Sequence, residues 1–465
     1  MQVAPRTAAP FVDRVAVGVG GGLVAFSFTA LGLLVLVWAR MDGFEVALFL
    51  VPVLLVASWP TFVRQGRRER DARLVQLLLL ALALKLLGSL VRYWVALHVY
   101  QGNADAFEYH KAGVDLAMRF RAGNFDTGLQ SLSGTDFISF VTGIVYTITG
   151  PSIYAGFLLY SWLAFGGMFY LYRAFTIAVP DGNRRSYARL LFFMPSMLYW
   201  PSSIGKEAWM LLTLGLAAFG TARVLTGRPW RGLALAGVSL WLCALVRAHV
   251  AGIAVIGLVV AYLFARPPRR LGALGSVVKL FALGALVGVA ILLLSQTQTY
   301  LLSKGIDPQD GVSSVLAETT RRTDTGGSSF EAQSTGTSLA RLPMAAVTIL
   351  FRPFLFEAGN VQAGVTALES TVLLCLTIAR RRAIWQAVRH LRRRPYMAFV
   401  LVYSVLFIVA FSSIANFGIL ARERTQLLPF FFVLLAVPSN RPRLLSVLAS
   451  GRERRVDADR QLVRA

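Results

Sequence analysis

Long apolar runs separated by short arginine-rich links fill most of this chain. The runs lie near Val15–Ala39, Glu45–Val63, Leu74–Val99, Ser152–Phe175, Leu190–Trp200, Ala208–Leu225, Gly275–Leu294, Ala363–Ala379, Met397–Ile414 and Leu427–Val437. Two further runs meet at Arg247-Ala248-His249. A hydrocarbon core takes about 20 apolar residues as a helix. The pattern therefore predicts an all-α polytopic membrane protein of about twelve transmembrane helices. Two apolar pieces, Asp136–Gly150 and Pro343–Phe356, are shorter or broken, and are read as juxtamembrane or re-entrant segments covered by the rest of the protein. Gln296–Arg341 is polar, rich in Gly, Ser and Thr, and reads as a long loop.

The links set the orientation. Arg64, Arg67, Arg68, Arg70 and Arg73 follow the second run, and further basic links are GRPWR (227–231), ARPPRR (265–270) and RRRAIWQAVRHLRRR (380–394). Arginine in short loops marks the cytoplasmic side. Both termini are then cytoplasmic, with the basic tail from Arg441 inside, and the long loop is outer. Leaving the two short pieces uncrossed keeps Arg184, Arg185 and Arg189 inside as well. The first run lacks a small-residue cleavage site and reads as a retained signal anchor. Five segments follow: 1–73 with two spans; 74–296 as a catalytic membrane module with its first outer loop at 101–151; 297–362 as outer loop and re-entrant piece; 363–440 with three spans; and 441–465 as the tail.

Composition agrees with this picture. The chain has 465 residues, 56% of them hydrophobic, and a net charge of +24. In a soluble protein that charge would suggest nucleic acid; here the arginines sit in the links, so membrane lipids are the partner and no nucleic acid is expected. Cys243 and Cys375 lie inside apolar runs and read as reduced packing residues, with no zinc spacing.

Candidate chemistry concentrates in Gly102–Phe120, GNADAFEYHKAGVDLAMRF. Residues 103–122 have the spacing of a helix lying on the membrane surface. They bring Asp105, Glu108, Tyr109, His110 and Lys111 to the outer face. Asp105 suits a general base; it also suits a helix cap, with Glu108 as its capping-box partner. Lys206 and Glu207 open the next outer segment, either as a helix-start pair or with Glu207 joining Asp105 to share Mg or Mn. Arg247 and His249 stand at a turn between spans, and Glu357 accompanies Arg352 after the long loop. Arg352, Arg422 and Arg424 suit bidentate binding of a phosphate. There is no Walker loop, dinucleotide fingerprint or nucleophile elbow.

The layout resembles the GT-C superfamily of membrane glycosyltransferases. NADAFEYHKAG places Asp105 where that family carries a catalytic Asp after an early span; YTITGPSIYAGFLLYSWLAFGGMFYLYRAF (146–175), SSIGKEAWMLL with Glu207, and NFGILARERTQLLP with Arg422 and Arg424 follow in the family's order. The resemblance implies an inverting transferase that moves a sugar from a polyprenyl-phosphate carrier to a glycan, lipid or protein acceptor, at the extracytoplasmic face of a bacterial plasma (inner) membrane. It implies Asp105 and Glu207 as catalytic acids, with or without a divalent cation. Arg352, Arg422 and Arg424 would hold the donor phosphate, and Glu108, Tyr109, His110, Lys206, Arg247, His249 and Glu357 would line the substrate site. The chain departs from the family in having two spans before the first outer loop and a lone Asp105 instead of a paired acid. A second resemblance, through FRPFLFEAGN (351–360) and the long loop, is to O-antigen and exopolysaccharide repeat-unit polymerases. A transporter or flippase would instead line a path through the bundle with charge.

Overall fold

The computed structural model describes residues 43–129, 131–265, 274–303, 312–324, 329–330 and 339–438. The expected first span, residues 266–270 of the third basic link and the tail from Arg441 lie outside these residues. Among the described residues the regular structure is helical, apart from an isolated bridge between Ser329 and Asn416. Among the described residues seven helices are long and apolar enough to cross a membrane, consistent with an all-α membrane protein.

α1 (Glu45–Glu69) and α2 (Ala72–His98) form a tight antiparallel pair. The turn between them puts Arg70 in the left-handed region, and the Asp71 carboxylate caps α2 by accepting from the Arg73 N–H at 3.0 Å. A second turn with Gly102 at φ 79° leads into α3 (Asp105–Arg121). α3 is the helix expected over 103–122. It packs on α4 (Gly134–Thr149) through Gly113 against Thr142 and Gly143 against Leu116. α4 has 16 residues, fewer than a span needs.

α5 (Ile153–Ala178) crosses α8 (Lys206–Leu225) at close range. A Cβ on Gly167 would lie 2.1 Å from the Leu211 carbonyl oxygen, and one on Gly215 would lie 2.2 Å from that of Gly167. Only glycine permits this approach, the small-residue contact that membrane helices use where lipid removes the hydrophobic drive.

The expected span at Leu190–Trp200 is broken. α6 (Arg184–Phe193) ends at Met194, and α7 (Pro195–Tyr199) restarts behind the proline. Two buried charges from other helices satisfy the freed backbone. Glu369 Oε2 accepts from the Ser196 N–H at 2.7 Å, and Lys85 Nζ donates to the Met197 carbonyl at 2.6 Å.

α9 is continuous in sequence from Pro229 to Phe264, but Arg247 in its middle has non-helical angles (φ −145°, ψ 86°). In a straight helix Gly232 and Tyr262 would be about 45 Å apart. Yet Gly232 packs on Val224, and Val224 shares one apolar cluster with Tyr262 and Ala265. The chain therefore doubles back at Arg247, where the sequence places a turn between spans. The first half runs antiparallel to α8, with Trp209 Nε1 donating to the Leu242 carbonyl at 3.0 Å.

α10 (Leu274–Ser303) and α11 (Val312–Thr323) enter the stretch expected to be an irregular loop. α12 (Leu342–Phe351) has ten residues, α13 (Val361–Arg389) is a long span, α14 (Pro395–Phe411) is apolar with 17 residues, and α15 (Phe417–Arg424) and α16 (Leu428–Leu435) close the fold. The main core is a continuous apolar cluster running from α1 to α16, with the smaller cluster of Val224, Tyr262 and Ala265 beside it.

Candidate functional site

A cleft of about 240 Å³ opens at the α3 end of the bundle. Its walls are the last turns of α2, the first turn of α3, the segment leading into α8, and α15. Asp105, Glu207 and Arg422 line it, with Arg92, Tyr109 and Trp200.

The charges form one alternating chain. Arg422 Nη1 donates to Asp105 Oδ2 at 2.8 Å, and Arg422 Nε lies 3.2 Å from Glu207 Oε1. Arg247 Nη2 lies 3.2 Å from the same Glu207 oxygen and 2.6 Å from Glu423 Oε1. Gln426 Nε2 ends the chain on Glu423 Oε2 at 2.7 Å. Residues far apart in sequence meet because of where their helices stop. Asp105 and Glu207 sit in first turns, where the helix dipole favours an anion, and Arg422 sits in a last turn, where it favours a cation. Arg247 reaches both carboxylates because its backbone leaves the helix there.

The chain is graded in exposure. Glu207, Glu423 and Arg247 are buried or nearly so, while the Asp105 side chain is 63% exposed. Asp105 is thus the more accessible of the two carboxylates that line the cleft. The Glu207 carboxylate beside Arg422, followed by Asp105, holds the guanidinium more firmly in its charged form, against the effect of burial. Burial pushes the Tyr109 hydroxyl up, reinforced by the Glu207 and Asp105 charges. Tyr109 is therefore a neutral donor in the cleft wall.

Of the two readings of Asp105, the helix cap is not formed. Ala104 occupies the cap position of α3 without a side-chain bond, and Asp105 is the first helical residue with its carboxylate turned to Arg422. Glu108 is exposed and lies outside the cleft lining. His110 faces the other way: its Nδ1 is 2.8 Å from the Tyr146 hydroxyl, and burial pushes its pKa down. Lys206 is half-buried beside Glu207, and His249 packs at a tilt against Phe411 behind the charge chain.

Arg424 does not reach the cleft. It has no exposed surface, and its Nη1 donates to the Leu350 and Arg352 carbonyls and to Ser370 Oγ at 3.0–3.1 Å. A helix turns by about 100° per residue, so adjacent positions on α15 face different ways. Arg422 opens to the cleft while Arg424 ties α12 to α13. Arg352 is engaged elsewhere too. It forms a bidentate pair with Glu357 and lies over the rings of Phe330 and Phe417, which stack at 4.2 Å. Burial works to raise the Glu357 carboxyl, but Arg352 and the Phe354 N–H outweigh it and hold it low.

For the divalent cation, the donor set is the test. Arg422 bridges Asp105 and Glu207, so a guanidinium stands where a shared cation would sit. Among the described residues no group of three or more His, Cys, Asp or Glu side chains converges. The residues fit an arginine-bridged acid pair rather than a metal site.

Three participants escape the sequence reading. Arg92 lines the cleft from inside an apolar span, donates to the Tyr199 hydroxyl at 2.9 Å and stacks on Tyr199 and Trp200 at 4.8 and 4.7 Å. Its insertion cost is the signal that marks it. Trp200 supplies an aromatic wall. Glu423, between two arginines, anchors Arg247. No protein-family model, curated protein or solved structure matches this chain.

Proposed function

We propose that the chain is a membrane glycosyltransferase that takes a sugar from a polyprenyl-phosphate carrier and passes it to a glycan, lipid or protein hydroxyl. The observation that carries this reading is the Asp105–Arg422 pair at 2.8 Å, with Arg92 and Trp200 on the same cleft. An exposed carboxylate, two guanidinium groups and an aromatic wall are the groups a sugar phosphate needs: a base for the acceptor, cations for the phosphate and a ring face for the sugar.

In the proposed step the donor phosphate takes hydrogen bonds from Arg422 and Arg92, displacing Asp105 from its partner. Asp105 then accepts the acceptor hydroxyl's proton. The acceptor oxygen bonds to the anomeric carbon from the face opposite the phosphate, and the carbon–oxygen bond to phosphate breaks. The electron pair leaves on the polyprenyl phosphate, where the arginines stabilise it. Glu207 and Arg247 position Arg422 and do not touch the reacting atoms. The buried charges inside the bundle, Lys85 and Glu369, hold the backbone of α7, which supports chemistry at one face over a transport path through the midplane.

The same reading includes about twelve crossings with the cleft extracytoplasmic in a bacterial plasma membrane. α6 with α7, α14, and α16 would cross in addition to the long helices, α15 would stay at the outer face, and α9 would cross twice.

The test is transfer by purified, reconstituted protein given a polyprenyl-phosphate sugar and an acceptor. Asp105→Asn keeps the shape and a hydrogen bond to Arg422 and should lower turnover by about 10²–10⁴-fold. Unchanged turnover would overturn the assignment. Release of a pyrophosphate carrier from an oligosaccharide donor would favour the polymerase reading instead.

A further inference from the structure

A second cavity, of about 320 Å³, lies at the other end of α2. Arg73 lines it and Arg92 lines the candidate site, about 28 Å apart along the helix at 1.5 Å per residue. That is close to the thickness of a hydrocarbon core. α5 spans the same interval, with Phe157 in one cavity wall and Tyr172 in the other.

Four arginines line this cavity, Arg73, Arg184, Arg185 and Arg189, against two acids, Glu69 and Asp71. Both acids are already taken. Glu69 is largely buried and accepts from Gln65 at 2.7 Å, Tyr172 at 2.8 Å and Arg184 at 3.4 Å. Asp71 caps α2 and lies 3.8 Å from Arg185. Arg73 and Arg189 have no ion-pair partner among the described residues, and both are exposed. Arg184 and Arg185 also occupy the first two positions of α6, with no acid in that turn. Cations there oppose the helix dipole. Glu69 and Asp71 meet Arg184 and Arg185, so Arg73 and Arg189 are the cations of this cavity left without an acid among the described residues, and they point to a counter-charge from outside the protein.

The cavity is also amphipathic. Leu74 and Leu77 form its apolar side, and α2 continues from them with an exposed apolar stripe, Leu80, Leu87 and Val91, towards the other end. A free anion would have no use for that stripe, whereas an acyl chain would lie along it.

We propose that this cavity binds an anionic phospholipid, its phosphate held by Arg73, Arg189 and Arg185 and its acyl chain lying along α2. Glu69 fixes Arg184 and Tyr172 as the rigid back wall. The site is independent of the glycosyltransferase reading, and its test uses no transfer assay.

The experiment follows thermal unfolding of the full chain in a neutral detergent by tryptophan fluorescence. The protein is titrated separately with phosphatidylglycerol, phosphatidylcholine and inorganic phosphate. Phosphatidylglycerol should raise the melting temperature saturably, and phosphatidylcholine and phosphate should not. In Arg73→Gln/Arg189→Gln the apparent affinity should fall by about 30-fold, taking about fivefold per arginine at an anionic surface. Because both side chains are exposed and unpaired, this variant should fold. If it does not, Arg189→Gln alone should show the fivefold step. The control Arg392→Gln/Arg393→Gln, in a basic link that does not line the cavity, should keep the full effect. Equal stabilisation by phosphatidylcholine, or equal loss in the control, would reduce the effect to diffuse charge or detergent exchange and overturn the site. Saturation by inorganic phosphate alone would overturn the lipid.

Discussion

Arg247 is the joint of the charge chain, and its removal gives the sharpest energetic test of the fold. Its Nη2 lies 2.6 Å from Glu423 and 3.2 Å from Glu207, and all three side chains are at most 11% exposed. In Arg247→Met the apolar volume is roughly kept but both carboxylates lose a cation. Glu207 still has Arg422 at 3.2 Å, whereas Glu423 is left with Gln426 as its nearest hydrogen-bond donor. The Arg422 Nε remains 3.9 Å from Glu423, beyond hydrogen-bond reach, so the loss falls toward the lower end of the about 3–5 kcal/mol that breaking a buried pair costs. Arg247→Lys keeps the charge but cannot fork between two acids; losing one charge-assisted bond costs about 1.5–3 kcal/mol. Glu423→Gln added to Arg247→Met should recover at least about 1 kcal/mol, because it neutralises the stranded group. The assay is reversible unfolding in mixed micelles at fixed detergent, read by tryptophan fluorescence, on the four proteins. A loss below about 1 kcal/mol in Arg247→Met, or no recovery in the double variant, would refute the claim that Arg247 neutralises Glu423 inside the bundle.

The buried acid that caps α7 gives a second test: Glu369→Ala strands the Ser196 N–H and should cost about 1–3 kcal/mol, while Glu369→Gln, which keeps an acceptor, should retain most of the stability. Equal losses in the same unfolding assay would disprove the cap. His110 gives a pH dependence. Burial places its folded pKa below the unfolded value of about 6.5, so its contribution is fully present above that pH and is lost as pH falls through it. Melting temperatures measured from pH 8 to pH 5 should fall more steeply in the wild type than in His110→Gln, and parallel curves would remove His110 as the cause.

Much of this protein is legible in its sequence because the bilayer leaves few choices. Backbone polar groups in hydrocarbon must bond internally, so apolar runs become helices, and α1, α2, α5, α8 and α13 appear close to where the pattern puts them. The helix over 103–122 and the turn at Arg247 were equally readable, the first from its amphipathic spacing and the second from charge inside an apolar run. Tertiary structure decided how charges pair. Sequence alone left Asp105 open between a base and a helix cap, and the fold turned its carboxylate to Arg422. Arg422 and Arg424 look alike in the sequence, yet one faces the cleft and the other is sealed between α12 and α13. Arg92, Lys85 and Glu369 were hidden among apolar neighbours because their partners lie on other helices. Hydrophobicity acts on each segment by itself and can be read along the chain. A buried ion pair depends on angle and distance between segments, and those are set only when the helices pack.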